Sequence, residues 1–216
     1  MSESPYRVGL LGGSFNPIHN GHLFVAQQAR KAFALDLVQF IPAFIAPHKV
    51  GASFLAAEHR LSMCRRAVQG DPHFGVLDVE IQRGGTSFTV DTLRHLHDDP
   101  PWSPPSTSGP TSLYFLMGSD SLADFTTWRE FKSIAQLATL ITIARQRGET
   151  KEALSTLQDH LDQTTVKRIE EHILEVSPHP ASSTAIRELL SKGQSTRDWL
   201  PDEVEIYIRE NNLYAS

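Results

Sequence analysis

The sequence predicts an α/β fold in which a doubly wound parallel sheet carries a small C-terminal helical subdomain. Short apolar runs at 8–11, 37–41 and 76–81 alternate with helix-like stretches at 23–33 and 61–68, the order expected of βαβ units. In the first helical stretch Leu23, Ala26, Ala29 and Phe33 recur at three- and four-residue steps, while Gln27, Gln28, Arg30 and Lys31 take the other face. The runs at 113–117 and 137–144 are nearly uninterrupted and apolar, as strands covered by helices on both faces should be.

The remaining elements follow from composition. A chain of 216 residues, 40% hydrophobic and 21% charged, is long enough to bury one core in one domain, here 1–216. We read the core of that domain over about 5–148 and a helical part over about 149–216. The helical part comprises a polar helical stretch at 152–171, a short run at 173–176, and two helices near 186–190 and 204–209. Within the core stretch, 98–112 holds Pro100, Pro101, Pro104, Pro105 and Pro110 among Ser, Thr and Gly, and is expected to form a surface loop inserted within the domain.

Charge and cysteine usage exclude several classes. The net charge of −5 and pI near 6.0 offer no basic footprint for DNA or RNA. Cys64 is the only cysteine, so no intrachain disulfide forms, and its place in an apolar-periodic stretch predicts a buried thiol suited to a reducing cytoplasm. The first residues lack a basic segment followed by an apolar run, and nowhere do about 18 uncharged apolar residues come together, so neither an export signal nor a membrane span is expected.

Chemistry concentrates in Gly12-Gly13-Ser14-Phe15-Asn16-Pro17-Ile18-His19-Asn20-Gly21-His22, which follows a strand and runs into a helix. Two glycines leave backbone N–H groups uncovered at a strand end, where open α/β sheets bind ligands. His19 and His22 share a helix face close to its positive end. Alone, a Gly-Gly turn or a His-x-x-His pair reads as a surface feature; joined in this order they predict a phosphate site. Neither a P-loop nor a G-x-G-x-x-G turn is present. A zinc site on the two histidines would need further ligands, and Cys64, His48, His59 and His73 lack the spacing.

Two further segments fit nucleotide chemistry. In Ser182-Ser183-Thr184-Ala185-Ile186-Arg187, hydroxyl residues open a helix and Arg187 follows one turn after Ser183, a plain N-cap or a second phosphate cradle. Gly118-Ser119-Asp120 ends a strand and opens a helix, so Asp120 is placed to accept from ribose hydroxyls or to cap. Trp128 taken alone reads as a core residue and Lys49 as a surface cation.

The first motif resembles the (H/T)-x-G-H signature of the nucleotidylyltransferase superfamily, whose sheet is Rossmann-like. The likeness to bacterial nicotinate-nucleotide adenylyltransferases extends over nearly the whole chain. It runs through Phe40-Ile41-Pro42-Ala43, Pro47-His48-Lys49, Ser87-Phe88-Thr89-Val90-Asp91-Thr92-Leu93, Phe115-Leu116-Met117-Gly118-Ser119-Asp120-Ser121-Leu122, Trp128, the Ser182 to Arg187 segment and Leu200-Pro201. It implies transfer of AMP from ATP to nicotinic acid mononucleotide, with Mg²⁺ arriving on the ATP and no metal site of the protein's own. Implied for ATP are Gly12, Gly13, Ser14, Phe15, His19, His22, Gly118, Asp120, Ser183, Thr184 and Arg187, with His19, His22 and Arg187 catalytic. Implied for the mononucleotide are Asn16, Lys49, Thr89 and Trp128, the indole stacking on the pyridine and N–H groups near Thr89 meeting the carboxylate.

Departures from the family pattern are Asn16 for the usual Asp, Phe88 for Tyr, and Arg145-Gln146-Arg147-Gly148 for Arg-Pro-Gly. His19 argues against the phosphopantetheine enzymes, which carry Thr there. Nicotinamide mononucleotide as substrate, a sensor without turnover, and a homo-oligomeric state stay open at this point.

Overall fold

In the computed structural model, which describes residues 4–47, 55–104 and 109–215, one six-stranded sheet forms the centre of the molecule. β1 (Pro5–Gly13) lies beside β2 (Leu37–Pro42) and β4 (Gly109–Gly118); β3 (Phe74–Val76) flanks β2, and β5 (Thr139–Ala144) and β6 (Ile173–Glu175) complete the other side. The order is β3-β2-β1-β4-β5-β6, and every neighbouring pair runs parallel. The connection reverses direction between β1 and β4, which opens a crevice at their carboxyl ends.

Strand alternation divides the apolar residues between two cores. Val8, Leu10, Leu113, Phe115 and Met117 point to one face, which is covered by α4 (Thr89–Asp98), α5 (Ser119–Ala123), α6 (Phe131–Leu137), α7 (Lys151–Gln158) and α8 (Gln163–Glu171). Leu11, Val38, Phe40 and Leu116 point to the other, covered by α1 (Asn20–Ala32), α2 (Ala57–Ala67), α9 (Ser183–Ser191) and α10 (Asp202–Glu210). Cys64 is fully buried in the second core, as the sequence led us to expect.

Four readings of the sequence need correction. The run at 76–81 is not a strand: β3 ends at Val76, and a short helix, α3 (Val79–Arg83), follows, stopped at Gly84, whose φ of +67° suits glycine. A short apolar run does not by itself distinguish the two. The run at 137–144 begins as helix, since Leu137 closes α6. The helical stretch at 152–171 is two helices, because the Asp162 side chain accepts from the Thr165 N–H at 2.9 Å and starts a new one.

The fourth concerns the Pro-rich loop of 98–112. Asp98 belongs to α4 and 109–112 belong to β4, where Pro110 falls at a register shift and its missing N–H costs the ladder nothing. Trp102 is only 8% exposed, packs into the first core and donates Nε1–H to Thr111 Oγ1 at 3.3 Å. Part of this segment is therefore core. The chain beyond Gly148, besides its helices, adds β6 to the edge of the sheet.

Candidate active site

Among the described residues, two cavities open at the carboxyl end of the sheet, on either side of β1. The larger, about 410 Å³, is bounded by Gly12, Gly13 and Ser14 together with Ser87, Thr89, Phe115 and Trp128. The smaller, about 290 Å³, is bounded by Leu11, His19, Gly21, His22, Gly118, Asp120, Arg145 and His179. Leu11 and Gly12 are consecutive, so one strand end separates two adjoining chambers.

His19 is the N-cap of α1 and only 7% exposed; burial first, and the nearby His179 second, lower its pKa to about 4. It is therefore a neutral imidazole at neutral pH. Its ring stacks on that of His22, centroids 3.7 Å apart, an arrangement that two cations would resist. His22 Nδ1 accepts from the His19 backbone N–H at 3.2 Å, which puts the ring proton of neutral His22 on Nε2. Phe15, with φ of 44°, packs edge-on against His22 at 5.0 Å and wedges the loop from below. The Asn20 N–H at the head of α1 is taken by the Trp199 carbonyl at 2.9 Å, leaving Gly21 as the first-turn backbone beside the cavity.

The loop between β1 and α1 is held by donors from outside. Arg60, 2% exposed on the core face of α2, donates to the carbonyls of Ser14 (2.8 Å), Ala43 (2.6 Å), Phe44 (3.0 Å) and Leu55 (3.0 Å). Burial lowers its pKa, and the guanidinium stays charged, as arginine does in proteins. Ser183 Oγ–H donates to the Pro17 carbonyl at 2.9 Å and Arg187 Nη1–H to the Asn16 carbonyl at 2.8 Å. With the carbonyls of Ser14, Asn16 and Pro17 thus occupied, their negative ends are kept from an incoming anion.

Arg187 also reaches Thr184 Oγ1 at 3.3 Å; Ser183, Thr184 and Arg187 line neither cavity and grip the loop instead. Asn16 is 4% exposed and lies under the loop, outside both cavities. Asp120 is at the mouth of the smaller chamber, its carboxylate held by Arg145 at 2.6 Å. Gly118 forms the same wall, and a Cβ there would meet nothing within 4 Å, so its missing side chain leaves the chamber open.

In the larger chamber Trp128 presents a half-buried ring set edge-on against Phe115 (6.1 Å) and Phe125 (5.7 Å). Opposite, Thr89 is the first residue of α4, whose opening N–H groups have no partner within the helix. Lys49 lies outside the described residues. Sequence reading missed Arg60 and His179. Only Arg60 left a signal: it falls in line with Leu61 and Cys64 on the buried stripe of α2, where a lone charge needs an explanation.

A cytidylyltransferase-like family model matches residues 10–189. A probable nicotinate-nucleotide adenylyltransferase of Desulfitobacterium hafniense is 39% identical over 214 residues, covering 99% of this chain and 98% of that protein. The corresponding protein of Thermus thermophilus is 38% identical over 208 residues, covering 96% and 99%. Among solved structures, nicotinic acid mononucleotide adenylyltransferase of Plasmodium falciparum complexed with NaAD superposes with a TM-score of 0.68 at 19% identity, covering 96% and 97%, a likeness of fold. With motif, fold and full-length relatives in agreement, the chain belongs to the cytidylyltransferase-like family and, within it, to the nicotinate-nucleotide adenylyltransferases.

Proposed function

We propose that this protein transfers the adenylyl group of ATP to nicotinic acid mononucleotide, forming nicotinic acid adenine dinucleotide and pyrophosphate for NAD biosynthesis. The observation that carries this reading is the pair of chambers meeting at the end of β1. A mononucleotide in the larger and ATP in the smaller would bring their phosphates together over Gly12 to His22.

A phosphate oxygen of the mononucleotide then attacks the α-phosphorus of ATP as the bond to the β,γ-pyrophosphate breaks. The mononucleotide phosphate is itself the nucleophile, so the rate comes from aligning two anions and meeting charge as it develops. His19 and His22 do this as hydrogen-bond donors, and Arg187 adds fixed positive charge beneath the loop. Gly118 and Asp120 border the nucleoside. Among the described residues no group of three or more His, Cys, Asp or Glu could hold a metal ion, and Mg²⁺ is read as part of the MgATP substrate.

In the larger chamber Trp128 stacks on the pyridine and N–H groups at the start of α4 meet the carboxylate. Among the described residues no helix is long and apolar enough to cross a membrane. Our assignment of the enzyme to the cytoplasm rests on Cys64, a buried free thiol that suits a reducing compartment. The test is pyrophosphate release from ATP with nicotinate mononucleotide, nicotinamide mononucleotide or phosphopantetheine. Turnover is expected with the first and weaker or none with the others. ATP binding without pyrophosphate release from any of them would make the protein a sensor and end this reading.

A further inference from the structure

The segment after α10 doubles back to the signature loop. Tyr214 reaches it with its hydroxyl, which donates to Asn16 Oδ1 at 2.7 Å. The approach requires an unusual backbone: Asn212 and Tyr214 have φ of 48° and 63°, a region that residues other than glycine enter at some cost. The ring packs against the second core, so the hydroxyl is delivered at the end of a fixed side chain.

Asn16 joins three things. Its carbonyl takes Arg187 Nη1–H, its side chain takes Tyr214, and three residues later the chain reaches His19. Held at its carbonyl by Arg187 and at its side chain by Tyr214, Asn16 is fixed at two points, and loss of the Tyr214 bond would free one of them and loosen the approach to His19. The hydroxyl stays a donor throughout the working pH range, because burial raises its pKa more than the neighbouring Arg187 and Arg60 lower it. The Asn16 amide offers a single accepting oxygen, and the Tyr214 hydroxyl fills it.

We propose that Tyr214 is a positioning residue for adenylyl transfer, acting through Asn16 to set the loop that carries His19 and its contact with Arg187. The proposal rests on the adenylyltransferase reading for its kinetic test. Tyr214→Phe removes the donor and keeps the ring. It should leave apparent ATP affinity within about threefold and lower kcat about tenfold or more, since small misplacements at a reacting centre cost rate before binding. Asn16→Leu should do likewise, and the double variant should be no slower than the slower single one, because both remove the same bond.

A substrate-independent measurement accompanies the kinetics: ring ¹⁵N signals of labelled histidines. Those of His19 and His22 should move in Tyr214→Phe while the remaining histidines hold still, and they can be read even where Asn16→Leu folds poorly. Normal kcat in Tyr214→Phe, losses that multiply in the double variant, or unmoved His19 and His22 signals would each overturn the proposal. Absence of pyrophosphate release by the parent protein would sink the adenylyltransferase reading instead, and the histidine signals alone would then decide whether Tyr214 positions the loop.

Discussion

Buried at the head of α1, His19 stays a neutral imidazole at neutral pH. His-x-x-His beside Gly-Gly is visible in the chain, but neutrality at neutral pH comes from burial and from His179, which is distant in sequence. The linkage has a definite sign. Above about pH 6.5 both folded and unfolded chains carry His19 neutral, and it contributes no pH dependence. As pH falls toward 4 the unfolded chain takes a proton that the folded one refuses, so stability declines by up to about 1.4 kcal/mol per unit; below about 4 the difference levels off. His19→Gln should remove this slope, and the difference in urea unfolding free energy between parent and variant should narrow as pH drops from 6.5 to 4. A constant difference would place the imidazole in water. Gly118 is the second residue-scale case: Gly118→Ala should leave the unfolding midpoint within a few degrees and raise KM for ATP several-fold, since its Cβ meets no protein atom and projects into the smaller chamber. An unchanged KM would show that the nucleotide keeps clear of this wall. The Asn16 departure, by contrast, had no meaning until Tyr214 was seen to meet it.

Elements were legible where periodicity was long and illegible where a few residues decide. α1 begins and ends close to its amphipathic pattern, while α3 hid in an apolar run and Asp162 split one helical stretch into two. Arg60 could be noticed on α2 but not interpreted, because its four carbonyl partners come from segments that only the fold assembles. On the proposed reading, the start of α4 and Trp128 have separate tasks in the larger chamber. Stacking does not distinguish an acid from an amide, whereas N–H donors do, since a carboxamide turns an NH₂ toward one of them. Trp128→Ala should therefore weaken nicotinate and nicotinamide mononucleotides alike. Thr89→Pro removes one N–H at a position where helices accept proline, and should shrink the ratio of kcat/KM by about tenfold, the cost of one unmet buried group. Should Trp128→Ala abolish the preference and Thr89→Pro spare it, the carboxylate is recognised elsewhere.

For the molecule as a whole, parallel strands covered on both faces were readable from unbroken apolar runs, while the strand order, with its reversal at β1 and β4, is seen only in the fold. The Pro-rich segment was misread because proline content speaks of backbone, while Trp102 within it answers to the core. Removing 103–108 should leave activity and melting temperature near parental values, provided a short bridge keeps Gly109 paired with Ser4, whose carbonyl it meets at 2.8 Å. Trp102→Ala should instead destabilise by about 3–5 kcal/mol, as large-to-small core changes do, measured by urea unfolding. Similar melting curves for the two would mean that the indole is not anchored. The three tryptophans also occupy three different surroundings: Trp102 in the first core, Trp199 half-buried against the second, and Trp128 at the rim of the larger chamber. Replacing Trp102 and Trp199 with Phe would leave one fluorophore at the larger chamber; if the pyridine lies against Trp128 as proposed, its emission should fall on adding the mononucleotide, and filling of that chamber could be followed by light, apart from ATP and from turnover.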